Sequence, residues 1–171
     1  MPHTLKINAL LSEYKNNIKG SDEFLVFKID NENYGIEINA IIEIRTWSEP
    51  TRLPNTPEYL LGVINVRGTI LPIFDLRSRL GIGRSVAHDK KIIIFINNNN
   101  LTMGMLVDSV SDIIQADRNA LQPTSNIHGY PSDEFIRGLY NNHDKMVILL
   151  NTSELMSFKN PDGNLNGHTT E

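Results

Sequence analysis

Two periodicities divide the chain. Over the first twenty residues Ile7, Leu11, Tyr14 and Ile18 recur at spacings of 4, 3 and 4, which lines them up on one face of a helix. Gly20 and Ser21 end it, so residues 1–22 read as an N-terminal helical extension. A helix this short is marginal alone, and its apolar stripe needs a surface, either the body of the protein or a docking partner. From Phe24 the apolar residues come in short runs separated by turn residues. Phe24–Ile29 and Asn33–Ile38 flank Asp30-Asn31-Glu32, and Leu60–Val66 and Thr69–Phe74 flank Arg67-Gly68. Lys91–Ile96 and Leu101–Val107 flank the asparagine tract 97–100, and Phe135–Tyr140 and Lys145–Leu150 flank 141–144. Each pair reads as a β-hairpin. Asp75–Leu80, with Asp75 as cap, and Asn151–Phe158 read as short helical turns, and the polar, Gly/Asn-rich stretch 158–171 as a disordered tail.

The chain also repeats itself. At an offset of 69, Gly35 to Ile44 falls on Gly104 to Ile113, and Phe24 to Phe27 on Ile93 to Ile96. At an offset of 76, Gly62-Val63 falls on Gly138-Leu139 and Ile70 to Phe74 on Met146 to Leu150. One seven-residue insertion, held by the loop Gln122–Asp133, accounts for the change of offset. Residues 24–80 and 93–157 therefore read as two copies of one strand-rich unit, each of a size that suits a small closed barrel. A barrel this small is marginally stable alone. Two such barrels can share a buried seam, and the seam between them makes a groove.

Composition mostly excludes. Sixteen basic against twenty acidic residues give a net charge of −4, not the basic face that nucleic acid demands. No apolar run approaches the ~20 residues that span a bilayer, and the amino terminus lacks the apolar core of a signal peptide. The absence of cysteine removes disulfides, thiol nucleophiles and thiolate metal sites. His3, His88, His128, His143 and His168 show no metal-ligand spacing, so neither a metal nor a cofactor is expected. Asp108 and Asp112 read as a strand end and the loop after it, and Gly81-Ile82-Gly83-Arg84 as a connector. Trp47, the only tryptophan, sits in a loop where packing and surface contact are equally reasonable. No nucleophile elbow, phosphate loop or paired-histidine motif occurs, and the chain does not read as an enzyme.

One stretch carries a specific signal: Ile41-Ile42-Glu43-Ile44-Arg45, Leu53-Pro54-Asn55-Thr56-Pro57, Leu61-Gly62-Val63-Ile64-Asn65-Val66-Arg67-Gly68 and Leu71-Pro72-Ile73-Phe74-Asp75-Leu76-Arg77. In this order and spacing, followed by Gly104, Leu106-Val107-Asp108, Val110, Pro123 and Phe135-Ile136-x-Gly138, it resembles the CheW-like family of bacterial chemotaxis coupling proteins. The resemblance covers residues 23–157. It implies a mostly β fold of two SH3-like five-stranded β-barrels packed together, with short helical segments at the N-terminus, between strands and near the C-terminus. It also implies a non-catalytic adaptor whose partners are the cytoplasmic tips of chemoreceptors, held in the groove between the barrels, and the regulatory domain of the histidine kinase CheA, held on barrel faces. Lattice or ring association at membrane-associated arrays goes with that role, in the cytoplasm and without membrane insertion. Carried over by motif, the receptor contacts are Ile41, Glu43, Gly62, Arg67, Gly104 and Ile113. Ile41 and Ile113 are expected to supply apolar contact, the glycines close approach, and Glu43 and Arg67 an orienting ion pair. The kinase contacts are Leu53, Pro54, Pro57, Asp75 and Arg77. FIRGLYNN departs from the family pattern in carrying the large Tyr140 after its glycine. The alternatives are a coupling adaptor of a non-flagellar chemosensory pathway and a small β-barrel ligand-binding protein.

Overall fold

The computed structural model describes residues 2–17, 22–86, 88–124 and 133–158. Helix α1 (Pro2–Asn17) precedes β1 (Glu23–Ile29), β2 (Glu32–Glu37), a 3-10 turn (Ile38–Ala40), β3 (Ile41–Thr46), β4 (Leu60–Val66), β5 (Thr69–Asp75) and α2 (Leu76–Arg79). The second half runs β6 (Ile92–Asn98), β7 (Leu101–Val107), β8 (Ser109–Gln115), β9 (Ile136–Asn142), β10 (Lys145–Leu150) and α3 (Thr152–Leu155). The four expected hairpins are present. Asp30, Arg67 with Gly68, Asn99 with Asn100, and His143 take positive φ at their tips, as tight hairpin turns require. Ile18 and most of the loop 122–133 lie outside the described residues, as does the tail from residue 159.

The ten strands form two five-stranded sheets, ordered β8-β1-β2-β10-β9 and β3-β6-β7-β5-β4. Under the repeat, β1 to β5 correspond to β6, β7, β8, β9 and β10, and the two strand orders then become identical. The folded units are nevertheless not the sequence units 24–80 and 93–157. Each barrel combines the first two strands of one copy with the last three of the other, because the 3-10 turn after β2 and Asp108 after β7 carry the chain across the seam. Barrel A is built from strands β1, β2, β8, β9 and β10, from two separate parts of the chain, and barrel B from β3 to β7, consecutive in sequence. Strand residues with the same alternation are complementary to either copy's partners, so the pattern reveals the repeat but not the exchange. β3 and β8, which follow these crossings, each lie at one edge of their sheet, with β4 and β9 at the other edges. Asp112 accordingly lies within β8, opposite Val26, and not in a loop.

The core explains why the barrels stay together. Barrel A holds a small interior of Phe24, Val26, Ile114, Ala116, Val147 and Leu149, and barrel B one of Val66, Ile73, Ile93, Phe95 and Leu106. The largest cluster lies between them, where the alternate faces of β1, β2, β6, β7 and β10 meet through Leu25, Phe27, Ile36, Ile94, Met105 and Ile148. Most of the apolar burial that stabilises the fold is therefore shared.

Ionic contacts clasp the seam. Arg77 of α2 donates to Asp30 in the β1–β2 turn at 2.8 Å and to Asp108 at 3.1 Å. Asp108 also accepts the Asp30 amide at 2.7 Å and pairs with Lys91. Burial alone would push the Asp108 carboxyl up, but the Lys91 hydrogen bond, the Asp30 amide and the charges of Lys91 and Arg77 hold it below its ordinary value of 3.8. A depressed folded-state pKa contributes stability that is present above 3.8 and is lost as pH falls through the lower folded value. Urea midpoints should therefore fall on acidification below that point, and Asp108→Asn should flatten the profile. An unchanged acid limb in that variant would remove Asp108 from the linkage.

Candidate functional site

The motif residues divide sharply by position. Glu43 on β3 and Arg67 in the β4–β5 turn come together as a bidentate pair, Nη1 to Oε1 at 3.2 Å and Nη2 to Oε2 at 2.9 Å. Arg45 adds a second contact to the same carboxylate at 3.1 Å. The carboxylate is mostly covered, with 18% of the Glu43 side chain exposed, while 71% of the Arg67 side chain faces water. The positive φ of Arg67, 51°, belongs to the turn that lifts its side chain off the sheet. Two guanidinium groups around one carboxylate leave the spot with a net positive charge, suited to an acidic group on a partner.

Beside this pair lies a cleft of about 510 Å³, lined by Leu5 and Asn8 of α1, Glu43, Trp47, Ile64 and Asn65. Trp47 donates its backbone N–H to the Lys91 carbonyl at 2.9 Å and packs on the interior of barrel B, so the tryptophan joins core and cleft. Nothing in the sequence pattern places α1 here.

Other motif residues are not open contact positions. Ile41 is only 1% exposed, within the cluster between the barrels. Gly104 is buried where a Cβ would lie 2.4 Å from Ile73 Cδ1 and 2.7 Å from Ile93 Cγ2. Its repeat counterpart Gly35 is pressed in the same way by Leu149. Gly62 is buried with φ 142°, its Cα face against the Thr51 carbonyl. These glycines allow close packing within the barrels. Ile113 is partly exposed and packs against the same cluster as Ile41.

The kinase set divides as well. Leu53 is 44% exposed, and Pro54 and Pro57 stand beside it on the same exposed loop. Asp75 is 2% exposed, because its carboxylate caps α2 through the Arg77 amide and also accepts from the Ser85 amide and hydroxyl. Arg77 is committed to the clasp with Asp30 and Asp108. Both side chains are engaged in contacts within the fold. The Ser85 bonds also anchor the end of the glycine-containing connector.

Tyr140, the departure in the second half, packs against the interior of barrel A and donates its hydroxyl to the Gln115 carbonyl at 3.4 Å. It thereby links β9 to β8. Phe158 is not part of a tail: it stacks on Tyr59 at 5.3 Å and meets Phe74 edge-on at 5.9 Å.

A family model described as CheW-like domain matches residues 23–159. The chain is 35% identical over 139 residues to a probable chemotaxis protein CheW of Rhizobium etli, covering 81% of this chain and 90% of that one. It is equally 35% identical over 136 residues to a chemotaxis protein CheW of Klebsiella aerogenes, with 79% and 81% covered. Among solved structures, the scaffolding protein TtCheW from Thermoanaerobacter tengcongensis superposes with a TM-score of 0.75 at 29% identity, covering 88% of this chain and 97% of that chain.

Proposed function

The chain belongs to the CheW-like domain family, and from that premise we propose that it is a non-catalytic chemotaxis coupling adaptor joining the cytoplasmic tips of chemoreceptors to the regulatory domain of the histidine kinase CheA. The observation that carries the reading is the extent of the family match, which takes in all ten strands and both barrels. Its working place is the cytoplasmic side of a receptor array, where a ring or lattice of adaptor and kinase domains would be its assembly. Among the described residues no helix is long and apolar enough to cross a membrane.

The receptor face carries the Glu43–Arg67 pair and the cleft beside it, with Ile113 as a further apolar contact; Arg67 meets an acidic or amide group on the receptor helix and the apolar residues its aliphatic face. The kinase face is the exposed loop carrying Leu53, Pro54 and Pro57, whose proline-stiffened backbone loses little entropy on binding. Titration with a receptor-tip hairpin and with the kinase regulatory domain tests both. Arg67→Glu should weaken receptor binding by about tenfold or more through like-charge repulsion with Glu43 and the receptor's acidic group, with kinase binding and melting temperature nearly unchanged. Unaltered receptor affinity would reject the role of Arg67. Failure of the wild-type chain to bind either partner at tens of micromolar would reject the coupling function.

A further inference from the structure

Ile41 is buried in the same cluster that receives helix α1. Helix α1 lies along β3 and the 3-10 turn, with Ile7 and Leu11 buried in the same cluster as Ile38, Ile41, Ile44 and Val110, and Tyr14 packed against it. Its apolar residues sit at i, i+4 and i+7, the spacing with which any amphipathic helix fills a groove. The polar contacts follow the same logic. β3 is an edge strand, and an unpaired edge leaves backbone donors and acceptors open. Asn8 replaces a missing strand: its Nδ2 donates to the Ile44 carbonyl and its Oδ1 accepts the Ile44 amide, each at 2.9 Å. Lys15 donates to the Ile41 carbonyl. The helix thus satisfies one apolar face and one strand edge beside the Glu43–Arg67 pair.

We propose that α1 is an internal occupant of the partner groove, which a helix of the receptor hairpin displaces when it binds. This rests on the receptor-groove reading above. The incoming helix needs the features that α1 presents: aliphatic residues at i, i+4 and i+7, and an amide side chain at i+1 able to pair with the Ile44 backbone. Because a sixteen-residue helix is marginal by itself, α1 is held by these contacts and is exchangeable for a longer helix that makes the same ones. Bound α1 lowers the apparent receptor affinity by the fraction of molecules whose groove is open.

Two full-length variants loosen α1 without touching the apolar wall. Asn8→Ala removes both bonds to Ile44. Glu13→Pro, at an exposed position in the helix interior, breaks the helix while altering no buried side chain. With the β-body confirmed intact by its melting transition, both variants should bind a receptor-tip hairpin about fivefold or more tighter than the wild type. In the wild type, hydrogen exchange of the amides of residues 6–16 should accelerate when the hairpin binds. Equal or weaker affinity in both variants, or α1 amides that stay protected in the complex, overturns the proposal and leaves α1 a fixed wall of the cleft. Self-association of the variants without a gain in affinity also overturns it, assigning α1 to guarding the β3 edge. Arg67→Glu, run in parallel, separates the two levels. A loss of binding there without a gain in Asn8→Ala sinks only the displacement. The absence of any hairpin binding sinks the groove reading as well.

Discussion

Gly62→Ala is expected to destabilise the whole fold, not to disable one interface. At φ 142° a side chain is strained whatever the space around it, and the added Cβ would lie 2.2 Å from the Thr51 carbonyl oxygen. That oxygen cannot retreat cheaply. Thr51 and Val63 exchange two backbone hydrogen bonds, at 2.8 and 2.9 Å, which pin the β3–β4 loop to β4. Backbone strain and overpacking together cost about 3–5 kcal/mol, a large share of a typical ~5–15 kcal/mol stability. The thermal midpoint should drop by about 10 °C or more for a chain of this length. The repeat supplies a control. Gly138 lacks the positive φ, and a Cβ there meets the Gln122 carbonyl at 3.2 Å, so Gly138→Ala should cost clearly less. A Gly62→Ala protein that melts with the wild type yet fails to bind receptor tips would return Gly62 to the contact surface.

The second large effect is expected at Arg79, a residue the sequence motifs pass over. Its guanidinium lies 4.8 Å from the Tyr59 ring centroid, 4.7 Å from that of Phe135 and 4.8 Å from that of Phe158. Its nitrogens donate to the carbonyls of Leu155 at 3.1 Å, Glu154 at 3.3 Å and Ser157 at 2.7 Å. Arg79 belongs to α2 at the end of barrel B, and the carbonyls belong to α3 and its exit at the end of barrel A. One cation therefore caps a helix of the other barrel and fills an aromatic cage. Burial lowers its pKa, although the charge still sits among ring faces and carbonyl oxygens that favour it. Arg79→Ala leaves three carbonyls without their donor and opens a void among three rings, a loss of about 3–5 kcal/mol. Arg79→Lys keeps the charge but not the planar fork, and should recover less than half of it. Urea unfolding checks both through the midpoint at constant slope. An alanine variant within about 1 kcal/mol of the wild type would show that water replaces the fork.

These two residues illustrate what a sequence discloses. The hairpins were legible because tight turns constrain chemistry: Asn99-Asn100 and Arg67-Gly68 take left-handed conformations that few residue pairs accept. The duplication was legible because paired glycines and strand segments recur in the same order, and the structure adds that Asp75 caps α2 as Asn151 caps α3. β3 and β8 were not read as strands. Neither belongs to a hairpin, and each gains its partner from the other copy, so no local pattern marks them. Glu43 and Arg67 could be paired from the sequence as charges in otherwise apolar segments. The burial of Ile41 could not, since it depends on how β3 packs against elements distant in sequence. The fold contacts of Asp75 and Arg77 are hidden for a related reason: a capped turn and an interface loop share the same residue types, and only the positions of Asp30, Ser85 and Asp108 reveal the bonds they make.

The exchange of strands between barrels also sets a timetable. Synthesis from the amino terminus delivers the β1–β2 hairpin first, but its neighbours β8 and β10 are among the last strands to be made. Barrel B, drawn from one unbroken stretch, can close as soon as β7 has emerged. The early hairpin must meanwhile wait with Leu25, Phe27 and Ile36 lying on the seam side of barrel B. The first strands made therefore gain their last neighbour in the sheet only once β10 has been made, after every strand of barrel B is available.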